Sequence, residues 1–243
     1  MYQNRFYRKL SRKEDLAAFR VAVKETDLLV HAVKPLEAFT RESILKHRGY
    51  IETYIQMYPE FLTSLKPWRI KGPAPVIVKD MAAAGTAAGV GPMAAVAGAV
   101  AGHVGKDLLA HTDEVIVENG GDIYIHADGA VTIGIFAGDS PLSLLVGLRF
   151  EGGRRPFAVC TSSGTVGHSL SFGTADAVSV VSDSCALADA SATAIGNRVR
   201  SKADIEKGID FGHYKSSELT GKAWEAFEKN EFDVVSLRCE GFD

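Results

Sequence analysis

Residues 114–136 read EVIVENGGDIYIHADGAVTIGIF, and this stretch decides the fold. Glu114–Glu118, Asp122–His126 and Val131–Phe136 are short apolar runs. Asn119-Gly120-Gly121 and Asp128-Gly129 separate them. Asn-Gly and Asp-Gly pairs are strong hairpin signals because their residues tolerate positive φ. Three short runs joined by tight turns predict antiparallel strands.

The same reading extends outward in both directions. Downstream, Leu144–Phe150 and Pro156–Thr161 flank Gly152-Gly153, which predicts a further hairpin. Ala175–Ser182 reads as a strand, Cys185–Asn197 and Ala223–Lys229 as helices, and Phe232–Leu237 as a last strand. Upstream, alternation across residues 16–33 predicts a hairpin interrupted at Lys24-Glu25-Thr26-Asp27. Residues 36–64 carry helical spacing, expected in two pieces broken near Gly49. Pro67, Pro73 and Pro75 mark a connection, and a Gly/Ala-rich helical region runs from Ile77 to about Leu109. The expectation is an α+β fold, an antiparallel sheet with packed helices in a single domain over residues 1–243. An N-terminal hairpin and helices fill 1–79, a Gly/Ala-rich ligand-cleft core 80–200, and a C-terminal helix and strand 201–243.

Composition narrows the function classes. The 243 residues are 46% apolar and 23% charged, with a net charge of −3. That balance offers no whole-protein attraction to nucleic acid or anionic membrane. Residues 1–71 hold 14 Lys or Arg against 8 Asp or Glu, whereas residues 80–200 hold 6 against 12. Seventeen of the 24 glycines fall between Gly85 and Gly173, the composition of a centre where backbone approaches backbone or ligand. The basic N-terminal part either guides an anionic ligand toward that centre or is a solvated surface. Three cysteines, Cys160, Cys185 and Cys239, make no disulfide framework and fit a reducing compartment. The basic N-terminus has no apolar core after it, so a cytoplasmic location is expected. Met81–Val104 has the length of a membrane span but is nearly all Ala and Gly, which predicts a buried helix instead.

Four segments are candidates for chemistry. Thr161-Ser162-Ser163-Gly164, continuing to His168 and Ser169, is a Ser/Gly-rich bend of the kind whose amides and hydroxyls gather on a phosphate. Gly-x-Ser-x-Gly is absent, which weighs against a serine hydrolase. Asp189 and Thr193 stand four apart and share a helix face. A carboxylate and a hydroxyl so placed are hard oxygen ligands suited to Mg²⁺; the alternative is an Asp that caps neighbouring backbone. Asn119, Gly120, Gly121 and Asp122 are explained as a hairpin turn or as ligand contacts. Gly89 to Gly98 is Gly-rich without a Walker lysine, and a helix starting there would present free amides to a phosphate.

Taken in order, Gly91-Pro92-Met93-Ala94, Asn119-Gly120-Gly121-Asp122, Thr161-Ser162-Ser163-Gly164, His168 and Ala188-Asp189-Ala190 with Thr193 resemble the ApbE family of flavin transferases. The nearer likeness is to a shorter family of ApbE-related proteins, with the Ala-rich form around Gly91–Gly98. The resemblance covers roughly residues 80–200. It implies an ApbE-like, T-fold-type domain that moves FMN from FAD to a threonine of an acceptor protein with Mg²⁺. It also implies that Asp189, Thr193 and the carbonyl of Ala94 hold the metal. His168 would stand near the pyrophosphate, and His168 and Asp189 would be the catalytic residues. Asn119–Asp122 and Thr161–Gly164 would line the ligand cleft.

Two functions follow as expectations. One is a Mg²⁺-dependent enzyme acting on FAD or a related flavin nucleotide, by transfer or by hydrolysis of the pyrophosphate. The other is a non-catalytic flavin- or nucleotide-binding or assembly protein on the same scaffold. The second is motivated by Ala95 where the family carries Lys, and by Ser169–Gly173 where it carries an Asp-Pro run. A phosphorylated small molecule is the expected ligand. No nucleic acid or membrane partner is expected, and an exposed sheet edge at the N-terminal hairpin suggests a homodimer.

Overall fold

The computed structural model describes residues 16–150, 153–167, 170–219 and 235–237. The chain opens with the expected hairpin, β1 (Ala17–Val23) and β2 (Thr26–Ala32). Phe19, Val21, Leu28 and Val30 point inward. Arg20 closes the outer side on Asp27 at 2.6 Å.

Helix α1 (Glu37–Met57) runs through Gly49 without a break, contrary to expectation. The missing Cβ of Gly49 faces open space, so nothing there forces a bend, and one glycine costs a long packed helix only about 1 kcal/mol. The interruption comes at Tyr58-Pro59, before the single turn α2 (Glu60–Thr63). The Gly/Ala region is also not one helix. It forms α3 (Val76–Ala88), a 3-10 turn over Pro92–Ala95, and α4 (Val96–Leu108). The two helices meet at 106°. Gly89 ends α3 in the left-handed conformation at φ +76°, and Val90 N–H reaches back to the Gly85 carbonyl at 2.8 Å. That is a glycine-closed helix end, and Pro92 then starts the next turn. Among the described residues no single helix is long and apolar enough to cross a membrane.

The expected three runs become β3 (Val115–Asn119), β4 (Asp122–Ala127) and β5 (Val131–Gly134). They are followed by β6 (Gly147–Phe150), β7 (Gly153–Ser162) and β8 (Ala177–Ser182). Helices α5 (Cys185–Gly196) and α6 (Ile205–Leu219) and strand β9 (Val235–Leu237) complete the described chain. Sequence reading missed α6. The expected helix at 223–229 lies outside the described residues.

One antiparallel sheet orders its strands β1-β2-β3-β4-β7-β8-β9, and β5 pairs with β6 in a separate ribbon. The expected β6–β7 hairpin therefore does not form; β7 pairs with β4 and β8 instead. The reason lies in the two faces of the sheet. Ile116, Ile123, Ile125, Val159 and Val181 line one face, and the β5–β6 ribbon covers them with Val131, Ile133, Leu148 and Phe150. The helices cover the other face, where Leu28, Val117, Tyr124 and Cys160 meet Ile44, Tyr54, Ile77 and Val104. Fully burying one such large side chain stabilises the fold by about 1.5–3 kcal/mol. The result is an α+β domain with the helical layer on one side.

Glycine spacing settles how deeply α4 sinks. Gly98, Gly102 and Gly105 share one face of the helix. A Cβ on Gly105 would collide with the Tyr124 ring on β4, and one on Gly98 with the Cys185 carbonyl. The absence of side chains lets α4 rest directly on β4 and α5, and this contact builds the site.

Candidate functional site

The first turn of α4 has no side-chain cap of its own, because its N-cap is Ala95. Its orphan N–H groups need acceptors. The Asp189 side chain supplies one from α5: Gly98 N–H donates to Asp189 Oδ2 at 2.8 Å, and the Ala97 amide also favours the charged carboxylate. The capping alternative for Asp189 is thus realised across two helices. The amides expected to be free for a phosphate are committed to this carboxylate. From the opposite side, Asn119 Nδ2 donates to the Ala97 carbonyl at 3.0 Å. The hairpin turn and α5 therefore grip the same helical turn.

The turn also meets β7. Gly120 takes the left-handed conformation, at φ +79°. Gly121 serves a different purpose. Its Cα lies so close to β7 that a Cβ would stand 2.7 Å from the Thr161 carbonyl, and Thr161 N–H donates to the Gly121 carbonyl at 3.0 Å. In register, Asp122 faces Cys160, and both point to the helical side with Asp189.

This places Asn119–Asp122, the end of β7, the start of α4 and Asp189 in one neighbourhood. Thr193 follows Asp189 by one turn on α5, and both are half-buried. Ala94 lies in the 3-10 turn against which α5 packs. Ser162 points to the helical side near Gly196. Thr161 points the other way, bonding Ser179 Oγ at 2.8 Å, so its backbone alone borders the site. Ser163 and Gly164 lead away from it. Ser163 Oγ accepts the N–H groups of Thr165 and Val166 at 3.1 and 2.9 Å, and Gly164 N–H bonds the Ala175 carbonyl at 2.8 Å. The amides of this bend thus close the bend itself. His168 lies outside the described residues. A shallow groove of about 420 Å³, lined by Trp68, Ile70, Lys79, Ala82, Ala83, Thr86 and Ala87, contains none of the expected site residues.

The electrostatics are unfavourable to negative charge. Burial pushes Asp122 up to about 7, with Glu118 adding and Cys160 opposing. Burial and then Asp122 hold Asp189 well above the usual carboxylate range, although the Gly98 and Ala97 amides pull it back. Two acids raised by a shared apolar setting and mutual repulsion are what a divalent cation would relieve. Among the described residues no group of three or more His, Cys, Asp or Glu gathers as a metal cage. The Asp189 carboxylate, the Thr193 hydroxyl and the Ala94 carbonyl are oxygen donors of the kind that Mg²⁺ accepts beside waters and phosphate oxygens. Sequence reading missed Gly98 as the seat of Asp189, and the contact of Cys160 with Cys185. The Gly98-Gly102-Gly105 spacing carried the first signal.

Comparisons with known proteins show the family and the fold. A UPF0280 protein of Methanococcus aeolicus is 48% identical over 160 residues, 65% of this chain and 64% of that protein. The UPF0280 protein MJ1526 of Methanocaldococcus jannaschii is 46% identical over 203 residues, 82% of each. The apo crystal structure of the Pseudomonas stutzeri flavinyl transferase ApbE superposes with a TM-score of 0.53 at 15% identity, over 83% of this chain and 88% of that one. At that identity the likeness is one of fold. Residues 8–219 match the family model described as AbpE bacteria, and the chain belongs to that family.

Proposed function

We propose that this protein is a Mg²⁺-dependent enzyme that cleaves the pyrophosphate of a flavin dinucleotide, passing the FMN part to an acceptor protein or to water. The observation that supports it most is the carboxylate of Asp189, fixed by the backbone amides of α4 beside the Asn119–Asp122 turn. The fold shared with a flavinyl transferase adds to it. Asp189, Thr193 and the Ala94 carbonyl would hold Mg²⁺, which supplies charge neutralisation on a transferring phosphoryl group. The chain's own part is positional. The Gly98 and Ala97 amides fix the orientation of Asp189, as outer partners orient metal ligands elsewhere. Asn119 holds the α4 turn in place, and the missing Cβ of Gly121 keeps the Asn119–Asp122 turn seated on β7.

A second reading, a flavin-binding protein without turnover, is favoured by Ala95. It is fully buried, so no positive charge stands at that point. Purified protein incubated with FAD and Mg²⁺ decides between them. AMP and FMN release, or FMN on an acceptor, lost in Asp189→Ala, supports the enzyme. Tight binding without products supports the second reading. No binding of any flavin nucleotide rejects both.

A further inference from the structure

Cys160 and Cys185 take no part in that reading, yet they sit inside it. Their sulfurs are 3.8 Å apart, both thiols are free, and both residues are buried. Cys160 ends on the helical side of β7, and Cys185 is the first residue of α5. The Cys160 thiol donates to the Cys185 carbonyl at 3.4 Å, and in register the residue stands opposite Asp122. Cys185 is wedged against α4. Its carbonyl fills the place of a Gly98 Cβ, and its Cβ lies 3.1 Å from where a Gly102 Cβ would be. The same Gly98 carries the N–H that holds Asp189.

We propose that Cys160 and Cys185 form a dithiol–disulfide pair whose oxidation loosens the Asp189 cap of α4. Closing the bond brings the sulfurs from 3.8 Å to about 2.05 Å. Drawing Cys185 toward β7 pulls it away from the glycine face of α4, and Cys160 loses the proton it offers the Cys185 carbonyl. The oxidant is a peroxide, small enough to reach a buried thiol. The Cys185 thiolate, at 6% exposure the more accessible of the two, attacks the O–O bond and becomes a sulfenic acid, releasing hydroxide. The Cys160 thiol displaces water from it and forms the S–S bond. Two thiols and one peroxide give one disulfide and two waters. Burial pushes the Cys160 thiol well up. Cys185 is pulled down by the Cys160 hydrogen bond, but burial and the two carboxylates carry it above its ordinary value. Closure is therefore slow and demands sustained oxidant.

The link to ligand binding rests on the proposed function; the disulfide and its effect on α4 do not. The full chain carrying Cys239→Ser is treated with hydrogen peroxide and compared with the reduced form. The expected result is loss of two hydrogens in intact mass, a peptide joining residues 160 and 185, and roughly tenfold faster amide exchange at Ala97 and Gly98. Cys160→Ser on the same background shows none of these changes. FAD affinity in Mg²⁺ falls in the oxidised form. Two results overturn the inference: no 160–185 disulfide under conditions that oxidise the unfolded chain, or a disulfide that leaves both amides protected as before. If the reduced protein ignores FAD, the proposed function fails while the exchange result still decides this one.

Discussion

Asp189 carries two loads that substitution can separate. Its carboxylate caps α4 and, on the proposed reading, also faces the metal. Asp189→Asn keeps an oxygen for the Gly98 N–H but removes the charge, so folding stability should hold while Mg²⁺-dependent nucleotide binding is lost. Asp189→Ala should lose both, with about 0.5–2 kcal/mol of stability gone, the range for a lost helix cap. Calorimetry of ligand binding with Mg²⁺ and with EDTA, beside thermal melts, checks this. An Ala effect on binding that is equal in EDTA would make the residue purely structural. Gly98→Ala tests the seat itself. Its Cβ would lie 2.7 Å from Asp189 Cβ and against the Cys185 backbone, so it should destabilise by about 1–3 kcal/mol in denaturant titration. The Asn119–Asp122 turn was legible because Asn-Gly is turn chemistry, but the glycines were not told apart. Positive φ belongs to Gly120, whereas Gly121 is small to let Thr161 pass. A valine at 121 therefore fails by collision with β7, a reason no single-strand reading contains.

At the scale of elements, α1 and α4 are joined by a polar contact within an apolar layer. Asp107 Oδ2 accepts from Ser43 at 2.7 Å, Lys46 at 2.5 Å and His47 Nε2 at 2.9 Å. The His47 ring also lies 4.9 Å from His103, which pairs with Asp80 on α3, and 6.1 Å from Tyr50. Among the described residues the buried Nδ1 of His47 has no partner. Burial lowers the His47 pKa, and the nearby His103 and Lys46 add to this against the pull of Asp107. A histidine depressed in the folded state binds fewer protons there than when unfolded. Its contribution is thus whole above the unfolded value of about 6.5 and is lost as pH falls through the folded value. His47→Gln should flatten that part of the stability-against-pH curve, measured by denaturant titration from pH 8 to 5. An unchanged slope would show the ring is not the titrating group. This joint was invisible in the sequence, since His47 and Asp107 are sixty positions apart. The N-terminal hairpin was legible because alternation and a polar turn are local. The β6–β7 pairing was misread because partner choice is set by which face needs cover, and that depends on β4 and β8.

Over the whole molecule, the charge asymmetry of the sequence has a local use. Four of the nine described basic side chains in residues 16–71 are spent on acidic neighbours: Arg20 on Asp27, Lys24 on Glu52, Arg48 on Glu25 and Glu52, and Lys46 on Asp107. Paired charges project little field beyond a Debye length, about 8 Å at physiological salt. Meanwhile residues 80–200 carry 12 acids against 6 bases, and at the site the buried Asp122 stands near the half-buried Asp189. On the proposed reading, a pyrophosphate that reaches this centre without metal meets repulsion from its acids. Without Mg²⁺, FAD affinity should hold or rise as salt increases from about 20 to 200 mM, because screening weakens repulsion. With Mg²⁺ it should be far tighter and only mildly salt-sensitive, because the cation cancels charge at short range. Titrations followed by flavin fluorescence measure both. A steep fall of affinity with salt in EDTA would mean that the basic N-terminal part does steer the ligand, and that the metal is not what makes this acidic centre hospitable to a phosphate.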